Sequence, residues 1–325
     1  MIIKTIDAHT AGEPLRLIVE GFPPIEGETI LEKREYIREH YDHLRKALML
    51  EPRGHADMYG ALLTAPERPG SDAGVLFMHN EGFSTMCGHG VIAVATIGIE
   101  RGLFTGPDVT LDAPAGPVHA RASLAAGRVT SVSFRNVPSF VLHAALPVRL
   151  GQKQLDVDVA FGGAFYAIAD AEAAGIPVLP ERLQDLRRAG MEIKRAVETA
   201  VRVEHPDEPG LRGIYGTIFT GPPSTESAHL KNVTIFADAE VDRSPCGTGT
   251  AAVMAVLAAM GLLGPDQTFV HESIIGSIFR GRVLEQTTVG DRDAIVPEIA
   301  GEAYITGEST FLIDERDPLR YGFRL

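Results

Sequence analysis

The chain has two cysteines, and both open a Cys-Gly-x-Gly turn at the head of an apolar stretch: Cys87-Gly88-His89-Gly90 and Cys246-Gly247-Thr248-Gly249. A cysteine at the mouth of a helix lies among unpaired backbone amides at the positive end of the helix dipole, and both favour thiolate over thiol. Thiols so placed titrate at roughly 3.5–7.5, against about 8.5 for a free thiol, so proton transfer near neutral pH is the expected chemistry. The flanking glycines permit positive φ and close backbone approach, leaving the Gly88-His89 and Gly247-Thr248 amides to hold an anion such as a carboxylate. Two opposed thiols are what inversion at a carbon requires, because one takes a proton from one face and the other returns a proton to the opposite face. Acid–base catalysis supplies only about 10²–10⁴. Stabilisation of the enediolate-like charge by two helix N-termini must supply more. The competing readings are two inert core thiols and a disulfide. Matched glycine turns argue against the first, and a reducing compartment against the second.

The elements that must position these turns repeat. Cys87 to Leu103 aligns without a gap on Cys246 to Leu262, with seven of seventeen positions identical, and each stretch stops at a glycine, Gly102 or Gly261, suited to a helix C-terminus. Each is preceded by a β-rich run, Val75 to Met78 and Val233 to Phe236. Upstream, M-Y-G-A-L-L-T (Met58 to Thr64) matches I-Y-G-T-I-F-T (Ile214 to Thr220). Before these come amphipathic helices, about Leu31 to Leu50 and about Pro180 to Glu204, and before those the glycine-marked strands Gly12 to Val19 and Gly162 to Ala169. The order strand, helix, strands, Cys-Gly turn, apolar helix, strands occurs twice. It predicts two α/β lobes related by a pseudo-two-fold axis, residues 1–140 with Cys87 and 141–302 with Cys246, the two cysteines meeting across the cleft. Pro107 to Pro138 reads as antiparallel strands turning at Ala126-Gly127. Ala303 to Phe311 reads as a strand that could complete the first lobe.

Composition narrows the partners. With 325 residues, 45% of them apolar, the chain can fill about two cores. Thirty basic against forty-three acidic residues leave −13, without a basic stripe, which speaks against a nucleic-acid or anionic-membrane partner. No apolar run approaches the roughly 18 residues of a membrane span. The N-terminus does not resemble a signal peptide, so the expected location is the cytoplasm. Two cysteines are too few for a disulfide scaffold or a Cys-based zinc site, and the histidines lack metal spacing, so no cofactor or metal is expected. Asp242, just upstream of the second turn, reads either as a partner for a substrate ammonium or as a turn cap or ion pair with Arg243. His89 reads as a substrate contact, a partner of Cys87 or a structural histidine. Arg53, His55 and Asp57 suggest a salt-bridged loop, and His271-Glu272 stands as an isolated pair. G-T-G-T-A-A (Gly247 to Ala252), with Asp266 nineteen residues beyond Gly247, satisfies a dinucleotide-binding fingerprint. Asp242-Arg243-Ser244-Pro245 intervenes where a strand should run straight into the first glycine, which makes an oxidoreductase a remote alternative.

At M-C-G-H-G (Met86 to Gly90), D-R-S-P-C-G-T-G-T (Asp242 to Thr250) and L-E-P-R-G-H-A-D-M-Y-G (Leu50 to Gly60) the sequence resembles the proline racemase family, which includes hydroxyproline 2-epimerases and trans-3-hydroxyproline dehydratases. The resemblance spans essentially the whole chain. It implies the diaminopimelate-epimerase-like fold, two lobes each with a curved, mostly antiparallel sheet around a central helix, and an active site in the cleft between them. It further implies cofactor-independent chemistry in a homodimer, with proline or a hydroxyproline as substrate. By the same resemblance Cys87 and Cys246 look like the catalytic thiols. Gly88, His89, Asp242, Gly247 and Thr248 fall at substrate-contacting positions, and Tyr59 and Phe236 where aromatics line the ring pocket. Dehydratases of the family typically carry Thr for the second cysteine, so Cys246 favours racemisation or epimerisation. His79 to Gly82, H-N-E-G, is the more dehydratase-like feature.

Overall fold

A computed structural model of the chain describes residues 1–324. Its elements, in order, are β1 (Ile2–Thr10), β2 (Glu13–Glu20), α1 (Ile30–His40), α2 (Asp42–Met49), β3 (Tyr59–Thr64), β4 (Ala73–His79), β5 (Phe83–Ser84), α3 (Gly88–Glu100), β6 (Asp108–Ala113), β7 (Gly116–Ala125) and β8 (Arg128–Arg135). There follow β9 (Ser139–Leu150), β10 (Lys153–Phe161), β11 (Phe165–Asp170), α4 (Ala171–Ala174), α5 (Leu183–Ala200), β12 (Gly216–Gly221), β13 (Leu230–Phe236), β14 (Glu240–Asp242), α6 (Gly247–Ala259), β15 (Phe269–Ser273), β16 (Ile278–Val289), β17 (Arg292–Gly301) and β18 (Ala303–Leu312). The chain is mixed α/β and divides into two compact units, Met1–Phe134 with the segment from Glu302 onward, and Arg135–Gly301.

Within unit 1, β2 pairs parallel with β3, β3 antiparallel with β4, and β4 parallel with β6. Within unit 2 the same pairings join β11 to β12, β12 to β13 and β13 to β15. A parallel pair needs a crossover, and here each crossover is helical. In unit 1, α1 and α2 link β2 to β3, while α3 lies between β4 and β6; in unit 2, α5 and α6 hold the corresponding places. The crossovers that carry the cysteines are apolar all round, so they are central helices: Gly88 to Gly98 of α3 and Gly247 to Val256 of α6 are all buried. Both end as their glycines require, Gly102 at φ 70° and Gly261 at φ 72°. Leu103 N–H donates to Gly98 O and Leu262 N–H to Leu257 O, closing Schellman-type caps.

A buried carboxylate just beyond each central helix pins the hairpin loop before it. Asp112 accepts the Glu67 and Arg68 amides at 2.8 and 2.9 Å, and Glu272 accepts the Ser224 and Thr225 amides at 2.8 and 2.9 Å.

Three features depart from the expectations. The helix expected over 31–50 is two, because Tyr41, at φ −128° and ψ 13°, leaves the helical conformation and turns its ring among Phe22, Tyr36 and His43. The helix expected over 180–204 is a 3₁₀ turn, Pro180–Arg182, followed by α5, which ends at Ala200 where Val201 turns extended. The strand expected from Gly162 begins at Phe165, because Gly162 and Gly163 form the turn after β10. The strand expected at Ala303 to Phe311 is β18. It belongs to unit 1, antiparallel to β1 with Ile2 opposite Leu312.

Candidate active site

Each cysteine is the N-cap of its central helix, and each thiol accepts the amide three residues on, Gly90 N–H to Cys87 Sγ and Gly249 N–H to Cys246 Sγ, both at 3.3 Å. The glycines are needed for this contact rather than for positive φ. A Cβ at Gly90 would come within 3.0 Å of Cys87 Sγ and 2.5 Å of the Phe77 ring, and one at Gly249 within 2.9 Å of Cys246 Sγ. Positive φ falls instead on Cys246 itself, at 64°. Neither cysteine is in a disulfide, and both are buried.

Around Cys87 the neighbours are aromatic and imidazole groups. His89 Nδ1 lies 3.2 Å from Sγ, and the His89 carbonyl accepts the Thr10 hydroxyl at 2.8 Å, which ties the first turn of α3 to β1. The Tyr59 ring stands edge-on to His89 with centroids 4.6 Å apart and lies over His79 at 5.8 Å; its hydroxyl bonds Ser84 Oγ. Tyr59 is thus held beside the imidazole that touches the first thiol.

Cys246 is surrounded by hydroxyls and a carboxylate. Tyr166 Oη lies 3.7 Å from Sγ and 2.6 Å from Thr248 Oγ1, which itself is 3.9 Å from Sγ. Asp242 Oδ1 accepts Ser244 N–H at 2.8 Å and Ser244 Oγ–H at 2.7 Å, and Ser244 Oγ accepts Cys246 N–H at 3.1 Å. Through Oδ1, Asp242 thus caps this turn. Burial pushes its carboxyl up to about 6 against the pull of the Ser244 bonds. The Cys246 thiol goes up to about 12, first through burial and second through the Asp242 charge. This reverses the expectation of a lowered thiol: at a fully desolvated site the helix terminus does not offset the loss of water and the neighbouring anion. Phe236 stacks on Tyr215, centroids 5.4 Å apart, and Tyr215 meets Tyr166 edge-on at 5.9 Å.

Gly88, His89, Gly247 and Thr248 thus lie in the first turns of α3 and α6, with Asp242 bonded into the turn before Cys246 and Tyr59 against His89. Phe236 reaches this group through Tyr215. Tyr166 was not identified from the sequence. The available signal was the Gly162-Gly163 pair just upstream, for a Cβ at Gly162 would stand 2.2 Å from Thr248 O, so this segment packs directly on the first turn of α6. Arg53, in the loop expected to be salt-bridged, donates to the Leu312 and Arg320 carbonyls and lies 3.8 Å from Asp317. Asp266, the acidic residue of the dinucleotide alternative, sits at φ 65° in the loop before β15 rather than at the end of a strand. No group of three or more His, Cys, Asp or Glu side chains among the described residues is placed to hold a metal ion. No helix among them is long and apolar enough to cross a membrane.

The chain is 52% identical over 328 residues to a Bacillus cereus protein named trans-3-hydroxy-L-proline dehydratase, covering 100% of this chain and 98% of that relative. It is 44% identical to a Burkholderia multivorans 3-hydroxyproline 2-epimerase, covering 99% and 97%. Among solved structures, a hydroxyproline epimerase from Agrobacterium vitis with bound trans-4-hydroxy-L-proline superposes with a TM-score of 0.91 at 32% identity, covering 100% of this chain and 96% of that one. The family model described as proline racemase matches residues 5–324. With a duplicated cysteine-capped helix and whole-length similarity of this degree, the chain belongs to the proline racemase family.

Proposed function

We propose that this chain removes the α-proton of proline or 4-hydroxyproline with one thiol and delivers a proton with the other, inverting the α-carbon without a cofactor. The observation that carries the reading is the pair of N-cap thiols, each fixed by a helix amide at 3.3 Å but given different neighbours. His89 beside Cys87 can accept the proton of that thiol, which makes Cys87 the base in one direction. Cys246, held protonated beside Asp242, is the matching acid, and the roles exchange in reverse. Backbone amides at the two helix mouths supply the carboxylate with donors, a stabilisation worth more to the barrier than the proton transfers themselves. Asp242 and His89 face the ring nitrogen in this reading, and Tyr59 and Phe236 line the ring. Thiol catalysis suits the reducing cytoplasm, and the family resemblance supplies the expectation of a homodimer.

The relatives at 51–52% identity named trans-3-hydroxy-L-proline dehydratase favour a second reading. Here the same base takes the α-proton, the C3–O bond breaks, the hydroxyl leaves as water with a proton from the acid, and a Cα=C3 double bond remains.

Incubation with L-proline, trans-4-hydroxy-L-proline and trans-3-hydroxy-L-proline in heavy water separates the two. Deuterium at Cα with loss of the L configuration is the expected result. Consumption of the 3-hydroxy acid alone, with an unsaturated product that borohydride reduces to proline, would replace inversion by dehydration. No exchange and no consumption with any of the three would remove both.

A further inference from the structure

Cys246 adopts φ 64° and ψ 114°, a conformation that L side chains avoid, whereas Cys87 at the same place in the repeat is extended at φ −147° and ψ 109°. A non-glycine residue persists in such a conformation only where its surroundings over-determine it. In unit 2 those surroundings include a buried polar pair absent from unit 1. Four residues after the cysteine, unit 1 has Val91 and unit 2 has Thr250; just before the loop-capping carboxylate, unit 1 has Leu111 and unit 2 has His271. All four are buried.

Thr250 Oγ1 lies 3.1 Å from Pro245 O and 2.9 Å from His271 Nδ1. A carbonyl only accepts, so the single hydroxyl proton points at Pro245, and His271 must supply the other hydrogen bond as Nδ1–H. Burial keeps the imidazole neutral, lowering it to about 3, and Nε2 is buried without a partner, consistent with that one tautomer. The chain of donors runs from His271 through Thr250 to the carbonyl of the Pro245–Cys246 peptide. The other side of that peptide is held as well, since Cys246 N–H donates to Ser244 Oγ.

We infer that Thr250 and His271 are positioning residues for the second thiol: they fix the Pro245–Cys246 peptide so that Cys246 keeps its left-handed φ and its Sγ stays between the Gly249 amide and the Tyr166 and Thr248 hydroxyls. The pair has no counterpart beside Cys87, whose extended backbone needs none. The catalytic consequence rests on the reading of Cys246 as an acid–base thiol; the positional one does not.

The test uses the full chain with Thr250→Val, Thr250→Ser and the double change Thr250→Val with His271→Leu, which copies the apolar residues of unit 1. Two quantities are read: kcat and KM on whichever hydroxyproline or proline is turned over, and iodoacetamide labelling of Cys246 relative to Cys87, resolved by peptide mass. Thr250→Val should lower kcat by at least about tenfold with KM little changed, as a misplaced reacting group does, and shift the Cys246-to-Cys87 labelling ratio by a similar factor. Thr250→Ser, which keeps the hydroxyl, should restore both. Should the valine variant not fold because the His271 donor is orphaned, the double variant, which removes that donor and leaves only the Pro245 carbonyl without its hydroxyl partner, carries the same expectations. Wild-type kcat and labelling ratio in a folded valine or double variant would overturn the inference. If Cys246→Ser itself keeps full turnover, it is the catalytic reading that fails, and the labelling ratio alone then decides the positional claim.

Discussion

Cys87 and Cys246 share a turn and a helix-amide contact, so what distinguishes them is the residue each thiol meets next, an imidazole in one case and a carboxylate with two hydroxyls in the other. The carboxylate leaves a signature in stability. Burial raises Asp242 from 3.8 to about 6 in the folded chain. Between those values the folded protein holds a proton that the unfolded chain has released, so this group's contribution is present below the unfolded value and is lost as pH rises through about 6. The loss is on the order of 3 kcal/mol at most. Urea denaturation from pH 4 to pH 7 should therefore show the stability of Asp242→Asn gaining on that of the wild type by up to about that amount as pH rises. A difference between the two proteins that does not change over this range would contradict the assigned burial of the carboxyl.

At the level of elements, the cysteine-capped helices were legible because three signals coincide in both: a Cys-Gly-x-Gly start, an unbroken apolar run and a glycine stop that takes positive φ. The breaks were less legible. Tyr41 interrupts α1 and α2 where its ring packs against Phe22 from the segment before α1 as well as against nearby Tyr36 and His43, which no periodicity records, and Tyr166 acquires its place because Gly162 lets its segment press against the first turn of α6. The positive φ of Cys246 was likewise invisible, since Cys87 has the same local sequence signals and an ordinary backbone. The loop-capping carboxylates are the duplicated device that the sequence concealed most fully, as Asp112 and His271-Glu272 bear no motif. Burial alone would raise both carboxyls, but the Arg68 and Glu67 amides at Asp112, and the Thr225 and Ser224 amides at Glu272, hold them below their ordinary values. Their stabilisation is present above the unfolded pKa and is lost as pH falls through the lowered one, a slope opposite to that of Asp242. Asp112→Asn and Glu272→Gln should each cost about 2–3 kcal/mol in urea denaturation at pH 7, because an amide nitrogen then faces backbone donors in a buried loop. A cost below about 0.5 kcal/mol, the range of ordinary surface changes, would show that the loops are held by other contacts.

For the whole molecule, the family assignment rests on a match from residue 5 to residue 324, and the duplication gives each unit one thiol at the head of one buried helix. The proposed function requires both thiols to serve one reaction. That is the central claim, and it differs from a reading in which one half carries the chemistry and the other only supports the fold. The most direct test is turnover in heavy water by Cys87→Ser and Cys246→Ser, with folding verified by circular dichroism and with the wild type's own substrate. A serine hydroxyl is a far weaker base near neutral pH, so each variant should lose net conversion by at least about 10³-fold, while exchange of the α-proton can survive in one of them. Net conversion near the wild-type rate by either folded variant would contradict the account.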